Sequence, residues 1–205
     1  LSGNLTIGDS VERIEKEAFC GLSKLIGALN IPNSVTHIDS SSFYGCSKLT
    51  GPLSIPDKVE FIGSNAFALC YGLYEPLNIP NSVKEIGNNA FYECIGLNES
   101  LTIGNSLKTI GSYTFSGINS FSGTLTIGNN VTKIDSKAFK DFAHLTGDLI
   151  IPDSVTYIGD SSFYGCSGFN SSLHLPDKVE FIGSNAFAQC SGLYGPLNIP
   201  NSVKE

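Results

Sequence analysis

The sequence contains no methionine and no tryptophan in 205 residues, only three histidines, and only 15% charged residues. A native start supplies methionine, so the chain is expected to be part of a longer protein whose leader or anchor lies outside these residues. The three histidines, His37, His144 and His174, fall at unrelated places. No Cys-x-x-Cys pair accompanies them, which argues against a zinc site and leaves no histidine beside an evident nucleophile. No apolar run reaches the roughly 18 residues that a bilayer-spanning helix needs. Acidic residues outnumber basic ones 19 to 12, for a net charge of -7. That balance argues against nucleic acid or an anionic membrane as partner. With 41% hydrophobic residues the chain can nevertheless bury a core.

What fills the sequence instead is repetition. Leu5, Leu29, Leu53, Leu77, Leu101, Leu125, Leu149, Leu173 and Leu197 are spaced 24 residues apart with no insertion or deletion. A fixed period in this range marks stacked supersecondary units, and a single array over 1–205 is expected. Counted from that Leu as position 1, position 15 is Phe in all eight complete units (Phe19 to Phe187), and position 10 is Ile in all eight (Ile14 to Ile182). Position 7 is Val except for Leu107, position 3 is Ile or Leu, and position 21 is Leu or Phe. No single unit can bury such a face, so these positions must stack into apolar ladders.

Each unit also carries turn chemistry. Position 4 is Pro or Gly and position 5 is always Asp or Asn, as in Pro32-Asn33-Ser34. Proline fixes φ, and Asx side chains bond nearby backbone, so an Asx turn is expected there. The preceding Leu-x-Ile alternates and is rich in β-branched residues, which predicts a strand. Val-x-x-Ile predicts a second short extended or 3₁₀ segment. Ser64-Asn65-Ala66-Phe67 and Asn88-Asn89-Ala90-Phe91 then read as N-caps opening one helical turn. Strands on successive coils lie about 4.8 Å apart, so eight coils make a rod or arc on the order of 40 Å long.

The string Leu-x-Ile-Pro-Asx-Ser-Val-x-x-Ile-Gly-x-x-Ala-Phe-x-x-Cys, seen from Leu77 to Cys94, resembles the BspA-like, treponemal-type leucine-rich repeats over essentially the whole chain. The resemblance implies a right-handed, curved leucine-rich-repeat solenoid, mostly β, on a microbial or protist surface. It also implies adhesion to host extracellular-matrix or cell-surface proteins. Two departures stand out: the step from position 21 to the next Leu is Leu-x-x-x-Leu, and units one, five and six replace Pro with Gly8, Gly104 and Gly128 and lack the terminal Cys.

A larger copy overlies the small one. Pro56 to Ala68 recurs at Pro176 to Ala188, and Pro76 to Glu85 at Pro196 to Glu205, both five units later. Ladders needed for folding occupy every unit, whereas a binding feature can occupy a few. Position 9, between inward-facing neighbours, carries His37, Phe61, Tyr157 and Phe181 against charged or polar residues elsewhere, and position 8 beside it carries Glu60 and Glu180. Aromatics on an outward, polar face are candidate anchors for a protein partner. The expected binding face combines positions 2, 8 and 9.

Five of the six cysteines (Cys46, Cys70, Cys94, Cys166, Cys190) share position 18 with Leu22, Ile118 and Phe142. A slot that accepts those residues is apolar, and buried free thiols are expected there, with Cys20, out of phase at position 16, exposed. Stacked cysteines come within disulfide range, but their parallel Cβ vectors fit the required dihedral badly. The Asx ladder lacks the several oxygen ligands per turn of a calcium-binding β-roll. No carboxylate pair suggests glycoside hydrolysis, Glu60 and Glu180 being explained by the copy. Sequons at Asn4, Asn98, Asn130 and Asn170 arise readily in an Asn- and Ser-rich repeat. No metal, cofactor or catalytic residue is therefore expected. A non-enzymatic binding or adhesion module is the first expectation and a structural spacer the second. With no polar capping unit at either end, end-to-end self-association at high concentration is also expected.

Overall fold

The computed structural model describes residues 3–204; Leu1, Ser2 and Glu205, the last residue of the incomplete ninth unit, lie outside them. The backbone winds as a parallel-strand β-solenoid of about eight coils, one per 24-residue unit. Two ladders of short strands run along it. The leucine ladder contains Leu25–Ala28, Leu49–Pro52, Leu77–Ile79, Glu99–Ile103 and Phe121–Thr126. The isoleucine ladder contains Arg13–Ile14, His37–Ile38, Phe61–Ile62 and Glu85–Ile86 in one parallel sheet, and Thr109–Ile110, Lys133–Ile134, Tyr157–Ile158 and Phe181–Ile182 in another. The coil beyond that division carries Leu107 where the others carry Val.

Between the ladders, the amide of Val at position 7 donates to the carbonyl at position 4, as from Val35 to Pro32 at 3.0 Å and Val155 to Pro152 at 2.9 Å. The Asx side chains do something other than close their own turn. Asn81 Oδ1 accepts from the Asn105 amide at 2.7 Å, and Asn105 Oδ1 from the Asn129 amide at 2.8 Å. These bonds tie one coil to the next, so the expected Asx turn is replaced there by a rung. A side chain that repeats at strand spacing finds the neighbouring coil's amide as close as its own.

The expanded Leu-x-x-x-Leu step is a bulge. Strands pair in 24-residue register at Leu77 with Leu101 and Ile79 with Ile103, but in 22-residue register just before, at Gly27 with Leu49, Gly51 with Leu73 and Glu99 with Phe121. Within Glu99–Ile103 the register changes between Glu99 and Leu101. Position 23 absorbs the difference in left-handed backbone, at φ 83° for Gly27, 93° for Gly51 and 60° for Glu99. Glycine adopts that conformation without steric cost, which explains its frequency at this position.

The third side of each coil, positions 12 to 17, is a run of tight turns without helix. Position 13 has φ between 53° and 59° in all eight units, among them Asn65, Asn89 and Ser161. A left-handed residue there interrupts the right-handed turn that the N-cap pattern predicts. Amide direction then alternates: Phe91 donates to Thr114 in the next coil at 2.9 Å, while Tyr92 donates to Asn89 within its own at 3.0 Å. The Ser/Asn-Asn-Ala-Phe pattern encodes this alternation, because Asn tolerates the left-handed region better than most residues.

Inside, eight phenylalanines from Phe19 to Phe187 form one continuous stack, with neighbouring centroids 5.2–5.6 Å apart and planes within 15°. Offset stacking of this kind adds about 0.5–1.5 kcal/mol per pair beyond simple burial. The Val, Ile and Leu ladders complete the core. All six cysteines are free, five of them buried at position 18 and Cys20 exposed. Each buried Sγ donates to the carbonyl of the Phe one coil back, at 2.9–3.2 Å. Cys is thus more than a small hydrophobe in that slot.

Candidate binding surface

The isoleucine ladder buries every third side chain rather than alternating, because only positions 9 and 10 of each coil are strand. Val at position 7 and Ile at position 10 point into the core, Val35 and Ile38 being fully buried, and the two positions between them, 8 and 9, are at least partly exposed. His37, Phe61, Tyr157 and Phe181 all lie on this ladder, in register, and all are half-buried. They form two pairs of adjacent coils. His37 and Phe61 have centroids 6.0 Å apart and planes tilted by 32°, while Tyr157 and Phe181 are 4.6 Å apart and tilted by 7°. Each ring therefore covers part of its neighbour. His37 Nδ1 also shares a 2.9 Å hydrogen bond with Thr36 Oγ1, which lies 3.0 Å from the Glu12 carbonyl.

Glu60 and Glu180 are exposed beside the phenylalanines. Each is held by the lysine one coil on: Lys84 Nζ lies 2.7 Å from Glu60 Oε2, and Lys204 Nζ 3.2 Å from Glu180 Oε2. The Lys84 hydrogen bond, then its charge, lowers the Glu60 carboxyl below its ordinary range. Such exposed pairs contribute little to stability, so their effect is to fix the edge of the strip rather than to stabilise the coil.

Two cations flank the aromatic pairs and went unread in the sequence. Arg13 precedes His37 and forms a two-pronged contact with Asp39, Nε to Oδ2 at 2.6 Å and Nη2 to Oδ1 at 2.9 Å. The hydrogen bond to Asp39 raises the guanidinium pKa further. Lys133 precedes Tyr157, with Nζ 4.8 Å from the ring centroid and 3.2 Å from Asp135. The five-unit offset that links Phe61 to Phe181 links Arg13 to Lys133 as well, and that signal was available. A further aromatic cluster crosses the turn side diagonally. Tyr92 and Tyr113 meet edge to face at 6.3 Å, and Lys137 Nζ reaches Tyr113 Oη at 2.7 Å. Its members occupy positions 16 and 13, so no single-position ladder reveals it.

Position 2, the third part of the expected face, sits on the leucine ladder, across the Pro-Asx turn from positions 8 and 9. Its residues, including Asn78, Thr102 and Ile150, are exposed. A shallow groove of about 630 Å³ runs along it, lined by Asn78, Asn81, Thr102, Asn105 and Thr126, with Asp57 as its single carboxylate. Among the described residues no group of three or more His, Cys, Asp or Glu side chains converges as a metal site. No helix among them is long and apolar enough to cross a membrane.

A comparison with curated proteins finds no match. Solved structures share the architecture at low identity. A leucine-rich repeat protein from Bacteroides ovatus is 22% identical, with a TM-score of 0.53 over all of this chain and 74% of that one. The Treponema pallidum leucine rich repeat protein is 20% identical, with a TM-score of 0.54 over 80% of this chain and 76% of that one. The pneumococcal vaccine antigen PcpA is 20% identical, with a TM-score of 0.57 over 99% of this chain and 62% of that one. A family model describing the BspA type leucine rich repeat region matches residues 2–121 and 60–194 with six copies. Its two matches together span nearly the whole array traced above, so the chain belongs to the BspA type leucine-rich-repeat family.

Proposed function

We propose that this chain is a non-enzymatic protein-binding module of a cell-surface or secreted protein, and that it binds through positions 8 and 9 of the isoleucine ladder. The observation that carries the reading is the pair of aromatic couples, His37 with Phe61 and Tyr157 with Phe181, set among charged residues at one register. Large rings at an otherwise polar position, half-covered and already ordered, are suited to bury against a partner at little entropic cost. Glu60 and Glu180, fixed by their lysines, supply polar rims. Extracellular-matrix or host cell-surface proteins are the partners in keeping with the family, and one of the structural relatives is a vaccine antigen.

The test is a biosensor comparison of the chain with its Phe61→Thr/Phe181→Thr variant across a panel of immobilised matrix and cell-surface proteins. Thr already occupies this position at Thr109, so the strand is preserved. The reading expects a protein on the panel whose affinity falls at least tenfold in the variant. Binding that is indifferent to both substitutions would move the site elsewhere on the coil. Retention of no panel protein favours a spacer that holds another domain away from a surface.

A further inference from the structure

Position 9 of the isoleucine ladder reads, coil by coil, Arg13, His37, Phe61, Glu85, Thr109, Lys133, Tyr157, Phe181. The order is cation, ring, ring, acid, then threonine, then cation, ring, ring. Rotating a second copy by 180° about an axis through Thr109, parallel to the strands and lying in the contact plane, reverses that order against itself. Thr109 then faces Thr109, Glu85 faces Lys133, Phe61 faces Tyr157, and His37 faces Phe181. Each acid meets a base and each ring meets a ring. The parallel alignment instead puts every charge opposite its own copy.

We propose that the strip is a homophilic interface, taken up by an antiparallel second copy of this chain. The proposal rests on the reading of positions 8 and 9 as a protein-binding surface and names its occupant. An isologous contact requires a patch that is complementary to itself under a two-fold rotation. The five-coil copy supplies such a patch, because a motif that runs from cation to acid and is then repeated becomes its own complement when reversed.

The side chains at the centre are placed for this contact. Glu85 and Thr109 are exposed, and Glu85 makes no ion pair with any described residue. Lys133 is half-exposed, with Asp135 and the Tyr157 ring on its near side. From His37 to Phe181 the strip spans six coil spacings, about 29 Å at about 4.8 Å each. One or two side chains wide, it buries less than the roughly 1,200 Å² of a standard stable interface. Self-association is therefore weak and concentration-dependent, suited to chains displayed at high density. Lys108, exposed at position 8 beside Thr109, faces its own copy across the axis and holds the affinity down.

Sedimentation velocity over a concentration series tests the arrangement. Glu85→Lys and Lys133→Glu alone should each weaken self-association at least tenfold, since each creates two symmetric like-charge contacts. An equimolar mixture of the two variants should form heterodimers, and the double variant Glu85→Lys/Lys133→Glu should dimerise again, because both restore the opposite-charge pairs. Lys108→Gln should tighten the wild-type dimer. Recovery in the mixture is a readout that misfolding of either variant cannot imitate. Three results overturn the proposal: a monomer throughout, self-association indifferent to the charge swaps as an end-to-end contact would be, or single variants that stay apart when mixed. A monomer that still loses panel binding on replacing Phe61 and Phe181 retains the protein-binding reading and rejects only the homophilic partner.

Discussion

Replacing Phe91 by Ala should destabilise the array by about 3–5 kcal/mol, the range for deleting a buried aromatic ring. Phe91 is fully buried, and its ring lies 5.4 Å from Phe67 and 5.4 Å from Phe115, at 11° and 5°. Truncation leaves a cavity in the middle of the stack and removes both neighbours' partner, about 0.5–1.5 kcal/mol per contact within that total. Phe187 provides the internal control. It is only partly buried and stacks on Phe163 alone, at 5.4 Å, so Phe187→Ala should cost roughly half as much. Because each coil contacts only its neighbours, a central gap should also uncouple the two halves, seen as a broader urea transition with a smaller apparent m-value. Urea unfolding followed by far-ultraviolet circular dichroism measures both effects. Equal losses at the two sites, or a loss below about 1 kcal/mol at Phe91, would refute the view that a continuous aromatic stack couples the coils.

Three further outcomes follow from particular residues. Ser42 and Ser162 have buried hydroxyls without a hydrogen-bond partner, at a position where five other units carry Ala and one carries Thr114. Ser162→Ala should stabilise by about 0.5–1 kcal/mol in the same denaturation assay, and a loss would show the hydroxyl to be satisfied. Ser161 sits at φ 53°, so Ser161→Gly should be neutral or stabilising, whereas Ser161→Val should cost about 2 kcal/mol or more as a β-branched residue in left-handed backbone. Burial raises the Cys46 thiol to about 11 and the Cys94 thiol to about 12, from an ordinary value of 9.0, whereas the hydrogen bond with Cys166 lowers Cys190. At Cys46 and Cys94 the folded chain keeps protons that the unfolded chain releases, so this contribution is complete below pH 9 and is lost as pH rises from there toward 12. Cys94→Ala should flatten the alkaline loss of stability; an unchanged alkaline limb would mean that the thiol titrates freely in the fold.

Much of the fold was legible because its signals are ladders, present in every unit. Phe19 to Phe187 at one position and Ile14 to Ile182 at another specify a stack, and the substitutes Leu22, Ile118 and Phe142 identified the cysteine slot as apolar. The turn side was misread for a physical reason. Ser64-Asn65 has the composition of an N-cap, but Asn serves helix starts and left-handed backbone alike, and only the inter-coil amides decide between them. The rungs from Asn81 through Asn129 escaped because their partners lie 24 residues away. On the proposed binding strip, the aromatic residues stood out from a polar background, whereas Arg13 and Lys133 blended into it. That His37 and Phe61 shield one another is a property of the pair of coils that no single position carries.

The central claim is that features shared by every unit build the solenoid, while His37, Phe61, Tyr157 and Phe181 serve recognition. Thermal unfolding and partner binding measured side by side on Phe61→Thr/Phe181→Thr test it most directly. Both rings are half-buried, so the account predicts a stability loss of about 1 kcal/mol for each, well below that of Phe91→Ala, together with at least a tenfold loss of binding. A loss of several kcal/mol with binding intact would place both rings in the folding core and contradict the claim.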